Sequence, residues 1–267
     1  MPVLSRRTPL SRRALLGAST GLAVLALAGC TVDNPLTRDR PTPVPQNSLP
    51  GFTTLGGATL LYEEDRRPRE FHLTAGFHDQ LEAWYAEWSE LSGQSADRIR
   101  SYGAWTEAAT KGTSWHNAGR AFDLCALMAN GSVLASMRRD QWQNPDDPAM
   151  LRRYWGVAAS LHLHFAYVLT YLFDANHSNH IHIDNAVSGA GMSTFTGRSK
   201  VQNQAVQALS THVWGRPTPI NGSWDSPTQR EVRFVLRSRK LGDDLTAQPV
   251  WQAYLRASVR RAYGTDQ

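Results

Sequence analysis

Cysteine is nearly absent from this 267-residue chain: only Cys30 and Cys125 occur. One disulfide is the most two thiols could form, so the fold must rest on its hydrophobic core rather than on covalent staples. No run of five or more like charges occurs, so neither an electrostatic footprint for DNA nor an acidic tail is visible. Repeats of 20 to 50 residues are also missing, which argues against a solenoid or propeller. The one long apolar stretch, Ala14 to Gly29, falls short of the about 20 residues that a membrane-spanning helix needs.

That stretch sits behind four arginines and no acid, the layout of a removable export signal. Ser11-Arg12-Arg13-Ala14-Leu15-Leu16 resembles the twin-arginine export motif, with Leu15 where phenylalanine is commonest and no lysine following. Leu27-Ala28-Gly29-Cys30 resembles a bacterial lipobox, which implies lipidation at Cys30 and attachment to the outer face of the cytoplasmic membrane. Removing residues 1–29 leaves 24 basic against 23 acidic side chains, a net of +1, so the high pI says nothing about nucleic acid. With Cys30 acylated, Cys125 has no internal partner for a disulfide.

Residues 30–55 are expected to be a linker, because Asn34 to Pro50 holds five prolines among polar residues. Leu81, Trp84, Tyr85, Trp88 and Leu91 recur at helical spacing and predict an amphipathic helix over Phe77 to Leu91. Strands are expected at Arg98 to Trp105 and Arg120 to Met128, with Asn130-Gly131 turning into a further strand, Ser132 to Met137. Asp147-Pro148 should open a helix running to about His164. Strands at Ala166 to Phe173 and Ile181 to Asp184 follow. This order predicts an α+β class, a small antiparallel sheet with flanking helices, over residues 56–193. From 194 to 267 the pattern is mostly helical, with a domain boundary near Ser193.

Six of the nine histidines lie between His116 and His182, and the informative ones form two clusters. The first is Ser114-Trp115-His116-Asn117-Ala118-Gly119-Arg120-Ala121-Phe122-Asp123. Extended chain would hold His116 and Asp123 about 23 Å apart, whereas two ligands of one zinc ion each sit about 2 Å from it. The segment must therefore fold back, and Gly119 is the residue best suited to the left-handed backbone of such a turn. The second cluster is His177-Ser178-Asn179-His180-Ile181-His182-Ile183-Asp184. On a strand, His180 and His182 point the same way, about 7 Å apart at Cα, so one can bind an ion while the other faces a substrate.

These residues resemble the zinc peptidases grouped around lysostaphin, the D-alanyl-D-alanine metallo-carboxypeptidases and Sonic hedgehog, with their Ser-x-His-x-x-Gly-x-Ala-x-Asp motif and later His-x-His. The pattern is most similar to the extensin-like C-terminal domain and the penicillin-insensitive murein endopeptidases, and it covers roughly Leu61 to Ser188. The resemblance implies Zn2+ held by His116, Asp123 and His182, with a fourth position left for water. It implies catalytic roles for His180 and His177, and peptidoglycan as the substrate. Ser114 is then a substrate contact, and Arg98 and Arg100 compete to grip a peptide carboxylate. The carboxypeptidase branch has a glutamate base three residues before its last ligand, where this chain has Asn179. A histidine takes that role, or Glu107 reaches in, or the chain binds zinc and wall polymer without turnover.

Other residues have plainer readings. His162 and His164 would diverge by about 200° on a helix and read as packing or surface residues. Cys125 shares a strand face with Asp123 and reads as a small buried thiol; as a fourth ligand it would close the site. Residues 205–209 and Pro219 to Thr228 resemble a three-helix peptidoglycan-binding module, with Asn221 and Asp225 departing from its pattern. Thr228 is a plausible helix N-cap there, and Trp214 and Trp224 read as core. A monomer is expected, with no nucleic-acid partner.

Overall fold

The computed structural model describes residues 41–107, 114–144 and 147–266. The export signal, Cys30 and the first part of the linker lie outside the described residues. Among the described residues, no helix is long and apolar enough to cross a membrane.

The chain enters through short strands: β1 (Gly51–Phe52), β2 (Thr54–Leu55), β3 (Ala58–Tyr62) and β4 (Phe71–His72). Helix α1 (Ala75–Ser92) leads to β5 (Arg98–Gly103), and β6 (Ala121–Ala129) forms a hairpin with β7 (Ser132–Ser136). A short α2 (Arg139–Trp142) precedes α3 (Pro148–His164), then β8 (Tyr167–Leu169) and β9 (Ile181–Asp184). Helices α4 (Lys200–Ala208), α5 (Ser226–Ser238) and α6 (Gln248–Tyr263) complete the described chain.

Seven strands form one sheet in the order β2-β3-β5-β6-β9-β8, with β7 also on β6. Every pairing in it is antiparallel except β3 with β5. A small mixed sheet with several helices is compatible with the α+β class.

Local sequence accounts for much of this. Asn130 and Gly131 both take positive φ, 51° and 78°, the conformation that a tight hairpin turn requires. Asp147 caps α3 by accepting a hydrogen bond from the Met150 N–H, and Pro148 fills the first turn, where no intrahelical donor is needed. Strand β8 is shorter than expected, because at Thr170 the chain turns and the Phe173 N–H donates back to the Thr170 carbonyl.

The core is continuous. Trp84 of α1, Trp155 of α3, Phe122 of β6 and Trp251 of α6 belong to one buried cluster. Gly156 brings α3 and α6 together: a Cβ there would lie 2.8 Å from the Ala262 Cβ. Ser193, the expected domain boundary, is buried, donates to the His162 carbonyl and accepts from Trp251 Nε1 at 2.8 Å. The expected linker is also docked where described: Val44 donates to the Asn117 carbonyl, and its own carbonyl accepts from Trp105 Nε1. Its last residues supply β1 and β2.

Candidate metal centre

The central strands set the site. In the β6–β9 ladder Asp123 stands directly opposite His182, so their side chains share a face. Strand alternation sends Phe122, Leu124, Ile181 and Ile183 the other way, into the core.

His116 reaches that face from the 3-10 turn Trp115–Ala118, which ends at Gly119 with φ 64°. The fold-back expected from spacing is this turn. Ser114 builds it: its hydroxyl accepts from the His116 N–H, and its own N–H donates to Asn117 Oδ1 at 3.0 Å. Ser114 is buried beneath the turn, where it acts as its cap.

Three donor atoms converge. His182 Nδ1 lies 3.0 Å from Asp123 Oδ1, His116 Nε2 lies 3.3 Å from the same oxygen, and the two nitrogens are 3.1 Å apart. A tetrahedral ion with ligand bonds of about 2 Å has donor-to-donor edges of about 3.3 Å, close to all three separations. Asp123 and His182 are buried and His116 is half-buried.

The far side of each imidazole fixes what the near side offers. His116 Nδ1 faces the Ala104 carbonyl, which can only accept, so this nitrogen carries the hydrogen. His182 Nε2 donates to Asp184 Oδ2 at 3.2 Å. Neutral rings in these tautomers present lone pairs at His116 Nε2 and His182 Nδ1, both facing the Asp123 carboxylate. Three electron-rich atoms at this distance repel one another unless a positive species sits among them. A proton answers that demand when no metal is bound: against the downward pull of burial, hydrogen bonds that His182 donates to the Asp123 and Asp184 carboxylates push it up to about 9. For Asp123, burial works upward, but the surrounding histidines, with hydrogen bonds donated by His116 and His182, hold the carboxyl well below its usual range. A divalent cation answers it equally well, and outer partners of this kind typically orient metal-bound histidines.

His180 stands at the edge of the group, its Nε2 3.6 Å from Asp123 Oδ1. Its Nδ1 donates to Asn179 Oδ1 at 2.7 Å, leaving the Nε2 lone pair on the site side. Burial pushes this ring down to about 4, with Asp123 pulling the other way, so it is neutral at pH 7. Tyr102 of β5 meets His180 edge to face at 5.8 Å. His177 is fully buried behind them, 2.7 Å from Asp174 Oδ1 and packed against the rings of His180 and His182.

The two arginines expected to grip a carboxylate lie on β5 away from its pairing with Asp123. Arg98 is exposed at the far end of β5, opposite Met128, while Gly103 is the residue opposite Asp123. Five strand residues separate them by about 16 Å. Arg100 is buried and paired with Glu63 at 3.2 Å, which also binds Arg138 at 3.1 Å. Glu107 is exposed. Cys125 is buried beside Asp123 but is not among the convergent donors, and burial pushes its thiol well up, disfavouring the thiolate a metal needs.

His162 packs against Trp251, and His164 pairs with Glu87 at 2.7 Å, both in packing roles. In the C-terminal helices, Asp225 rather than Thr228 caps α5, accepting from the Thr228 N–H at 2.9 Å. Trp214 is buried and donates to Ser258, while Trp224 is partly buried against Phe195.

The sequence reading gave Asp184, Tyr102 and the Ala104 carbonyl no role. Asp184 had a signal, since it continues the alternation of His180 and His182. Tyr102 and Ala104 had none, because only the pairing of β5 with β6 brings them near.

No family model, no curated protein and no solved structure matches this chain.

Proposed function

We propose that this chain is a zinc-dependent hydrolase that cuts a peptide bond in the stem or cross-link of peptidoglycan, exported as a lipoprotein acylated at Cys30. The observation that carries the reading is the meeting of His116, Asp123 and His182, with the outer nitrogen of each imidazole already committed to an acceptor. The Ser114 to Asp123 and His177 to His182 motifs, similar to those of zinc peptidases of the cell wall, supply the substrate class.

His116 Nε2, Asp123 Oδ1 and His182 Nδ1 would hold the ion. A zinc ion bound there supplies Lewis acidity toward a scissile carbonyl and lowers the pKa of water. His180 is the general base: its Nε2 accepts a proton from the attacking water and returns it to the leaving amine nitrogen as the C–N bond breaks. Asn179 cannot take a proton, and its amide oxygen instead fixes the tautomer of His180. Tyr102 packs edge to face on the ring of His180, and His177 with Asp174 backs that ring.

Asn179, where the carboxypeptidase branch has glutamate, favours a second reading: a non-catalytic lipoprotein that binds zinc and wall polymer. Metal analysis combined with mass spectrometry of digested muropeptides separates the two. Stoichiometric zinc with new peptide products supports the hydrolase. Stoichiometric zinc with an unchanged muropeptide profile supports the second reading.

A further inference from the structure

Charge is unevenly divided along the chain. Residues 41–193 carry 11 Lys and Arg against 16 Asp and Glu, a net of −5, whereas residues 194–267 carry 11 against 5, a net of +6. Helix α5 carries three of those arginines against one acid, a net of +2. In α5, Val232, Val235 and Leu236 face the core, while Arg230, Arg233, Phe234 and Arg237 are exposed. Arg230, Phe234 and Arg237 follow at i, i+4 and i+7, the spacing of a single stripe. Among the described residues Phe234 is the one large hydrophobic side chain that is exposed, at 52%. The guanidinium of Arg216 lies 3.9 Å above its ring, adding a fourth arginine to the face. Two acids temper it: Glu231, buried and shared by Arg216 and Arg230, and Asp243, 3.8 Å from Arg237.

An aromatic ring left in water costs free energy that core packing of α5 does not require, and it is ringed by cations. A hydrated anionic polymer would neutralise the arginines but leave Phe234 in water. Nucleic acid would use the face of the ring, which Arg216 already covers. An anionic lipid surface satisfies both features: headgroup phosphates meet the arginines, and the ring sinks to the acyl boundary beneath them. We propose that the Arg216, Arg230, Arg233, Phe234 and Arg237 face of α5 docks on an anionic lipid surface. This contact orients the globular part on the membrane, and it stands whether or not the metal centre is catalytic.

The test uses the full chain with Cys30→Ala, so that no acyl anchor forms, and a dye on a cysteine introduced at exposed Ser238; Cys125 is buried and stays unlabelled. With phosphatidylglycerol vesicles the dye emission should shift to the blue. With phosphatidylcholine vesicles it should not. Replacing Arg230, Arg233 and Arg237 together by glutamine should weaken the anionic binding on the order of 100-fold, at about 1 kcal/mol per arginine. Phe234→Ser should weaken it roughly tenfold. Should the triple variant melt at a lower temperature than the parent, Arg233→Gln alone serves in its place, with roughly a fivefold loss expected. An unshifted dye, an equal shift on both vesicles, or variants that bind like the parent would overturn the proposal. So would a dye that responds to duplex DNA or purified wall polymer and not to vesicles.

Discussion

Two His-x-His pairs occur in this chain, and the backbone beneath them decides their fates. His182 lies in β9 and His180 immediately precedes it in extended chain, where a period of two sends both toward Asp123, at 3.0 and 3.6 Å. His162 and His164 have the same spacing on α3, where the helical period turns them apart, one against Trp251 and the other onto Glu87. Identical spacing thus yields a convergent site on a strand and two unrelated packing residues on a helix. The second difference is in their partners. His182 and His180 each have one ring nitrogen held by an acceptor and the other turned to the site, whereas His162 is buried among apolar groups.

That contrast can be broken most severely at His182. His182→Ala should remove stoichiometric metal and all activity, whereas His162→Ala should leave metal content intact; elemental analysis of the two purified variants checks this. His180→Ala comes next: it should keep the metal and lose about 10²- to 10⁴-fold in rate, as removal of a general base does. Equal metal loss in the His180 and His182 variants would reverse the assignment of base and ligand. Asp184→Asn keeps the volume but removes the anionic acceptor behind His182, and should weaken metal binding by roughly 10- to 100-fold in a competition titration with a chelating dye.

The smallest effect is on stability, and it sharpens the other side of the comparison. Burial holds His162 down to about 3, from an ordinary value of 6.5. Between those values the unfolded chain binds a proton that the folded one refuses, so stability is full above pH 6.5 and falls as the pH drops toward 3. The loss attributable to His162 should be about 2 kcal/mol between pH 6.5 and pH 5. A His162→Phe variant should show a flatter acid limb in denaturant melts across that range. An unchanged limb would mean that this ring is protonated in the folded protein.

Periodic segments were legible in the sequence and pairings were not. The 3.6 spacing of Trp84, Tyr85 and Trp88, the Asp147-Pro148 cap and the Asn130-Gly131 turn lie where local physics puts them, and α1, α3 and the β6–β7 hairpin follow. Strands β1, β2 and β4 have two residues each, too few to carry a period, and two of them fall within what composition presented as linker. At the site, the fold-back between His116 and Asp123 was readable from spacing and turn chemistry, while the choice of His116, Asp123 and His182 as one set came from the resemblance to the zinc peptidases. Where Arg98 and Arg100 stand relative to Asp123 was not readable, because it depends on the β5–β6 register, with its two irregularities near Arg100 and Ser101. Tyr102 and Ala104 were missed for the same reason. A composition change at Ser193 marked the start of the helical part, but the hydrogen bonds that bury Ser193 between α3 and α6 have no signature in the sequence.

The central claim is that two imidazole nitrogens and one carboxylate oxygen hold a single zinc ion with no sulfur in its shell. Zinc-edge X-ray absorption on the purified full chain reads that shell directly. The account predicts one zinc per chain with only nitrogen and oxygen neighbours at about 2.0–2.2 Å, two of them imidazoles. A sulfur neighbour at about 2.3 Å, which would draw Cys125 into the site, or a protein that retains no zinc, would contradict it.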